Sequence, residues 1–272
     1  MGLPEKVQNS SITPLRFDHL SAAPGIVHGV FSRAGGVSEG AFSGLNLGLG
    51  CGDDAGRVAE NRRLMLASLG LQRSVFLKQV HGTRIQVLKQ GDDIEDAVWN
   101  PSTGMTPAPL EGDGVVTDIL GLGLVIQVAD CQAVVLYDPV RGVVGNVHSG
   151  WRSSIADILG KCVAVMTDRF GCRPEHILAG ISPSLGPCCA EFVNYKEEIP
   201  EPLWLYKAGA QPYFDFWQMS RDQLTARGVK PENVQQMALC TVCHTDRFFS
   251  YRGEKTTGRF GSVIALKNAP EK

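Results

Sequence analysis

The chain gathers its β-branched and other apolar residues into short runs of four to six, at residues 26–31, 75–80, 85–88, 124–128, 133–137 and 143–147, with Gly, Asp, Asn or Pro close by each. Runs this short predict strands rather than helices. One longer segment has helical periodicity: Ile155, Ile158, Leu159, Cys162, Val163, Met166 and Phe170 recur at three- and four-residue spacing over residues 154–170, which predicts a helix with one core-facing side. Ser153 or Ser154 is the expected N-cap, and Gly171 can take the left-handed conformation that closes the helix. A second helix is expected over residues 220–227, before Gly228 and Pro231, and a last strand over residues 262–266. Many strands with few helices give an α+β (mixed α/β) class; periodicity does not choose between segregated and alternating order. The 272 residues contain no tandem repeat, low-complexity tract or Ser/Gly linker. The simplest organisation is therefore an N-terminal extension (1–22) and a single catalytic domain (23–270), interrupted by a loop over residues 91–109.

Charge and the start of the chain narrow the classes of function. Lys and Arg number 26 against 28 Asp and Glu, a net charge of −2. That balance gives no generic electrostatic reason to bind nucleic acid or an anionic membrane. No apolar run reaches the roughly 18 residues needed to cross a bilayer. The first residues lack the basic-then-apolar pattern of a secretory signal, and Lys6 breaks the myristoylation pattern. The expected compartment is the cytoplasm, where the eight cysteines stay reduced and read as thiols or metal ligands before disulfides. There the Asn9-Ser10-Ser11 match to a glycosylation acceptor carries little weight.

Two of the six histidines stand at strand-to-loop junctions, in Gln79-Val80-His81-Gly82 and in Val147-His148-Ser149-Gly150-Trp151-Arg152. Between them Ala129-Asp130-Cys131 closes a third apolar run. Strand ends far apart in sequence can converge in space, and two imidazoles with one thiolate form a zinc set that leaves a fourth position open, the pattern of a catalytic site. Zinc held there would lower the pKa of a bound water toward neutrality. Residue type alone leaves the bland reading open: hydrogen-bonded histidines and a small buried cysteine, separated by 50 and 17 positions that match no compact metal motif.

The flanking residues carry more. His28-Gly29-Val30-Phe31-Ser32-Arg33 with Gly35-Gly36-Val37-Ser38, Leu45-Asn46-Leu47-Gly48 with Gly52-Asp53, and Glu60-Asn61-Arg62 come first. Next are Gln79-Val80-His81-Gly82, Asp113-Gly114-Val115-Val116-Thr117, Ala129-Asp130-Cys131 and the His148 to Arg152 run. Gly180 to Cys189, Cys240-Thr241, Phe248-Phe249-Ser250-Tyr251-Arg252 and Thr257-Gly258-Arg259 complete the series. In this ordered set the chain resembles the YfiH-type laccase-domain family, also called polyphenol oxidase or multicopper oxidase-like and regarded as purine nucleoside phosphorylases. The resemblance implies a layered α/β/β/α single-domain fold and makes His81, Cys131 and His148 the zinc ligands. Ala133, Ser149, Ser153, Ser182 and Ala190 depart from the family's usual residues, and Ser182 and Ala190 are expected to reshape the pocket.

The resemblance further implies phosphorolysis of adenosine, inosine, guanosine and methylthioadenosine to the base and ribose 1-phosphate, with adenosine deamination as a further activity. Purine nucleosides and phosphate are then the partners. Arg33, in a glycine-rich stretch, and Arg152, at the start of the best helix, are candidate phosphate holders, with Arg62 a weaker third. Asn46 is a candidate for substrate hydrogen bonding, although Leu-Asn-Leu-Gly also reads as a turn. Asp130 is a candidate acid/base or supporting group. Trp151 reads equally as a purine stacker or as core packing.

Alternatives remain. Peptidoglycan precursor editing is also attributed to bacterial members of the family. Copper could occupy a His₂Cys set, but multicopper oxidation of phenols would need further histidine-rich sites, and only His19, His28, His176 and His244 remain. Cys240-Thr241-Val242-Cys243-His244 matches covalent haem attachment, which the lack of a visible export signal disfavours; a redox or structural-metal role for this CxxC is a further option. Cys188-Cys189 could form a vicinal disulfide but reads as reduced thiols. Tyr213-Phe214-Asp215-Phe216-Trp217 reads as an anchor to the core.

Overall fold

A computed structural model describes residues 12–102 and 107–268; the Asn9-Ser10-Ser11 match lies outside them. Two six-stranded mixed sheets form the body. The first is ordered β1 (Ile26–Val30), β12 (Phe260–Leu266), β7 (Leu122–Val128), β2 (Arg73–Lys78) and β4 (Val98–Trp99), with β5 (Leu110–Glu111) also on β2. The second is ordered β11 (Val234–Gln236), β10 (Leu178–Ile181), β8 (Gln132–Asp138), β9 (Val143–Ser149), β6 (Gly114–Thr117) and β3 (Ile85–Leu88). Sequence-distant strands pair at the centre of the first sheet. There β12 runs antiparallel to both β1, from Ile26 opposite Leu266 to Val30 opposite Ser262, and β7.

The sheets pack face to face, and alternation along each strand explains the continuous apolar runs. Leu124, Ile126 and Ile264 of the first sheet meet Ala133, Val135 and Val144 of the second in one buried cluster. The intervening Val125, Val263 and Ala265 point outward onto Met65 and Leu66 of α2 (Ala55–Ser68). On the far side, Val134, Leu136 and Val147 pack on Leu159, Cys162 and Met166 of a helix that crosses the second sheet. The result is the four-layer α/β/β/α arrangement implied by the resemblance. The described part of the expected extension is built into it: Leu15 bridges Val30, and Phe17 and Leu20, around α1 (Asp18–Ala22), enter the core between the sheets.

The helix expected over residues 154–170 is two helices. α3 (Trp151–Ile155) is capped by Gly150, and α4 (Ile158–Phe170) by Asp157, whose side chain accepts from the Gly160 N–H. Asp157 sits at φ 56°. Aspartate tolerates this left-handed backbone and competes for helical N–H groups, so the helix restarts there. Ser153 and Ser154 are consequently not caps; Ser154 lies within α3 and donates to the Gly150 carbonyl. Gly171 closes α4 at φ 67°, as expected. The other helix, α6 (Phe216–Ala226), starts before residue 220 because Asp215 accepts from the Gln218 N–H. Phe214 and Phe216 anchor this segment in an aromatic cluster with Phe192. Among the described residues no helix is long and apolar enough to cross a membrane.

His28 on β1 is buried and accepts the Phe17 N–H at Nε2 (3.0 Å), with the two rings stacked. Burial, with nearby positive charge from Arg16 and His19, holds its pKa down to about 4. The unfolded chain therefore takes up this proton first: the stabilisation is complete above the unfolded value near 6.5 and is lost as pH falls toward 4, about 3 kcal/mol in all. Urea denaturation of the wild type is expected to show a falling midpoint between pH 7 and 4.5. In His28→Gln, which keeps an acceptor for Phe17, that fall should be visibly shallower; an unchanged slope would assign the acid sensitivity to other groups.

Candidate metal centre

Three strand ends converge at one edge of the paired sheets. Beyond β2, the Gln79 side chain pairs with both backbone groups of Gln127 on β7, at 2.8 and 2.9 Å. It thereby continues the strand pairing and fixes the turn that carries His81. Beyond β7, Asp130 and Cys131 form the turn into β8. His148 is the penultimate residue of β9. Two of the turn residues, His81 (φ 59°) and Asp130 (φ 88°), hold left-handed backbone conformations that cost energy for residues with a Cβ, and such strain clusters at functional sites.

This convergence brings His81, Cys131 and His148 together, with ligand atoms all within 4.8 Å of one another. Cys131 Sγ lies 4.0 Å from His81 Nε2, and the two imidazole rings meet edge-to-face at 4.7 Å. Asp113, at the start of the turn into β6, has no solvent exposure. Its carboxylate accepts the backbone N–H groups of His81 (2.9 Å) and Gly82 (2.7 Å) and lies 2.8 Å from His148 Nδ1. A carboxylate only accepts, so Nδ1 carries the proton and Nε2 is left as the ligand atom facing the cleft. Burial alone would push the Cys131 thiol up, but the facing His148 and His81 rings outweigh it and hold the thiol down to about 6. Burial would likewise depress His148, yet the Cys131 sulfur and the Asp113 carboxylate raise it to about 9. Without a metal the pair thus favours a thiolate beside a protonated His148 near neutral pH; the thiolate is the form that binds metals, and a bound metal would displace the proton from His148 Nε2.

The space between the three ligands accommodates an ion. At Gly150, an added Cβ would stand 2.9 Å from His81 Cδ2, 3.1 Å from Cys131 Sγ and 3.6 Å from His148 Cε1. Glycine here keeps that cradle clear. Zinc bonds of about 2.0–2.3 Å at tetrahedral angles put ligand atoms about 3.3–3.8 Å apart, a spacing that small side-chain rotations would give this set.

The triad opens into a cleft of about 910 Å³. Of the proposed phosphate holders, Arg62 and Arg152 line it. Arg62 is buried, stacked 3.8 Å over Phe76, and donates from both Nε and Nη2 to the Leu47 carbonyl. Desolvation lowers its pKa only to about 10, so it stays charged, and among the described residues no carboxylate pairs with it. Arg152 lies 4.1 Å over Trp151, itself edge-on to Phe192 at 5.8 Å in the cleft wall. Arg33 is placed elsewhere: it pairs with Glu254 at 2.8 Å, donates to the Thr245 carbonyl and lies over Phe249, outside the cleft. Its glycine-rich setting shapes a structural turn. Asn46 is fully buried and holds Asp53, Gly48 and Arg259 backbone or side-chain groups, so the turn reading prevails.

Asp130, the candidate acid/base or supporting group, lines the cleft. Its carboxylate accepts from Thr241 Oγ1 (2.7 Å), Ser250 Oγ (2.6 Å) and the Arg252 N–H, which ties the turn before Cys131 to the segment that carries Tyr251 and Arg252. Ser182 and Ala190 are buried in a turn and in the aromatic cluster, and neither lines the cleft. Sequence reading missed Asp113 as the partner of His148. It also missed Arg252 and Arg259 as cleft residues, although each sits in a segment that carried the resemblance.

A family model described as multi-copper polyphenol oxidoreductase laccase matches residues 27–267. The chain is similar to purine nucleoside phosphorylase YlmD of Geobacillus stearothermophilus, at 34% identity over 255 residues, 89% of this chain and 91% of that protein. It is also similar to purine nucleoside phosphorylase YfiH of Shigella flexneri, at 33% identity over 245 residues, 86% and 91% of the two chains. The crystal structure of Bacillus licheniformis hypothetical protein YfiH superimposes with a TM-score of 0.82 at 28% identity, covering 96% of this chain and 98% of that one.

Removing the partner of a metal-bound imidazole costs about 10- to 100-fold in affinity. Asp113→Asn is expected to weaken zinc binding by that factor in competition with a chromophoric chelator, with a lowered melting temperature from the disturbed His81 and Gly82 N–H groups. Unchanged zinc affinity in a folded Asp113→Asn protein would show that this hydrogen bond does not orient a ligand.

Proposed function

The chain belongs to the multi-copper polyphenol oxidoreductase laccase family, and from that premise we propose that it is a zinc-dependent purine nucleoside phosphorylase. One observation carries the reading: a single cleft joins the His₂Cys triad to four arginines and aromatic walls, with Asp130 its only acidic lining residue among the described residues, and that carboxylate is occupied. A buried guanidinium without a carboxylate, such as Arg62, is costly unless an anion completes it. Inorganic phosphate is that anion here, held by Arg62 and Arg152 through charge-assisted hydrogen bonds. Trp151 and Phe192 offer the flat apolar faces that suit a purine. In this arrangement an oxygen of hydrogen phosphate attacks C1′ of the ribose, the C1′–N9 bond breaks with its electron pair leaving on the base, and the base takes up the proton that the phosphate gives up, giving free purine and ribose 1-phosphate. Adenosine, inosine, guanosine and methylthioadenosine share the required bond.

His81, Cys131 and His148 would hold the zinc, which supplies a Lewis acid with an open coordination position. Asp113 fixes the ring of His148 and the turn of His81; Asp130 positions Tyr251 and Arg252 in the wall. Removal of the 6-amino group of adenosine is a second activity suited to the same centre. Oxidation of phenols by several coppers would require more histidine clusters. Among the described residues His28 is bound to Phe17 and His19 to Gln235, and the triad is the only histidine-containing cluster.

Purified protein incubated with adenosine is expected to release adenine only when phosphate is present. Cys131→Ala should lose at least about a hundredfold in rate, equivalent to several kcal/mol of transition-state stabilisation. Arg152→Ala should raise the phosphate KM by about tenfold or more, the worth of one charge-assisted hydrogen bond. Inosine formed without phosphate would make deamination the main activity, and zinc-loaded protein that turns over no purine nucleoside would overturn the reading.

A further inference from the structure

A second group of sulfur atoms lies outside the triad. Cys188 and Cys189 sit on the loop that leads from β10 toward α5 (Tyr195–Glu198), and Cys240 and Cys243 on the loop between β11 and α7 (Tyr251–Glu254). Their four Sγ atoms all fall within 4.8 Å of one another, with Cys243 Sγ 3.6 Å from both Cys188 Sγ and Cys189 Sγ. None of the four is in a disulfide, and Cys188 and Cys243 are exposed.

Burial does not explain this grouping, since two of its members face solvent, and thiols are weak hydrogen-bonding partners. Coordination geometry does. Four sulfurs at about 2.3 Å from a tetrahedral zinc ion stand about 3.8 Å apart, close to the 3.6 Å contacts here. Cys240 and Cys243 have the C-x-x-C spacing of one arm of a structural zinc site. The Gly186 N–H points at Cys240 Sγ from 3.4 Å, an interaction that orients and supports a thiolate ligand. Both loops are fixed independently of the sulfurs: Ser184 and Cys240 bridge, through the Ser184 N–H to the Leu239 carbonyl and the Thr241 N–H to the Ser184 carbonyl. The ligands are therefore presented by backbone that is already paired.

We propose that Cys188, Cys189, Cys240 and Cys243 bind a zinc ion in an all-thiolate tetrahedral site, separate from the His81, Cys131 and His148 centre. With four protein ligands the site has no open position and is structural. It replaces the haem-attachment reading of the Cys240 to His244 segment, because both cysteines of that motif turn toward Cys188 and Cys189. It staples the loop that carries Leu185 to the loop that leads into α7, whose Tyr251 and Arg252 line the cleft together with Leu185. Through Thr241 the staple also reaches Asp130, the neighbour of Cys131.

Metal analysis separates the two sites without reading any nucleoside turnover, so its result stands apart from the proposed reaction. Wild-type protein should carry two zinc ions per chain, Cys131→Ala one, and Cys188→Ser/Cys243→Ser one. A measurement on the wild type alone guards against a variant that fails to fold. Cys188 and Cys243, although exposed, should resist alkylation by iodoacetamide in the zinc-loaded protein and react about tenfold faster or more once a chelator has removed the metal. The proposal is overturned if wild-type zinc is a single ion lost with Cys131→Ala, if Cys188 and Cys243 alkylate equally fast before and after chelation, or if protein prepared in reductant contains a disulfide joining Cys243 to Cys188 or Cys189.

Discussion

Asp113 carries a negative charge at a position closed to solvent, and the groups that satisfy it are the ones that build the cleft. Burial would raise this carboxyl, but the His148 ring and the backbone N–H groups of Gly82 and His81 keep it below the usual carboxylate range. One side chain therefore joins the turn after β2, the start of β6 and the end of β9. The Asp113 carbonyl adds to the same junction by accepting the His148 N–H at 2.7 Å. An uncompensated carboxylate here would be costly, so the two histidines and the aspartate stand or fall as a unit, and the ring of His148 has one orientation available. Cys131 then completes a set whose members come from two turns and one strand end.

The strands were readable from sequence because both faces of β7, β8, β9 and β12 are buried, which writes them as near-continuous apolar runs. Shorter elements such as β6, β10 and β11 were not, because three or four residues beside glycine or polar flanks carry too little pattern. The convergence at strand ends of His81, Cys131 and His148 was legible because two imidazoles and a thiol at such junctions suggest a ligand set. Asp113 was not: Asp-Gly before a Val-Val pair looks like an ordinary turn, and only the fold shows the His148 ring above it. Arg33 stands apart from the cleft for the opposite reason. Its glycine-rich surroundings suggested a ligand loop, whereas Glu254, far away in sequence, takes up its charge. The four-cysteine cluster depends on one local pair and one remote pair, so the C-x-x-C half could be seen and its completion could not.

The four-layer arrangement gives the cleft walls of unequal character. The triad side rests on two packed sheets whose strand ends are locked by side-chain-to-backbone bonds such as Gln79 to Gln127. Leu185 and the Tyr251–Arg252 start of α7 also line the cleft, held by bonds to Asp130 and by the Ser184 to Cys240 bridge. Walls locked by such bonds suit the proposed reaction, because small displacements of reacting groups are expensive in rate.

The position of β12 has a consequence for how the chain reaches this state. Among the described residues it supplies the ladder connection between β1 and β7 in the first sheet, yet it is synthesised after every other strand described here. All three members of the triad are synthesised more than a hundred residues earlier, while the sheet behind two of them still lacks its central strand. Until β12 inserts, β1 and β7 present unpaired edges, and such edges are open to pairing with other chains. Closure of the first sheet is a late, long-range event of the slow kind, which makes the nascent chain, more than the finished molecule, the stage at which aggregation is decided.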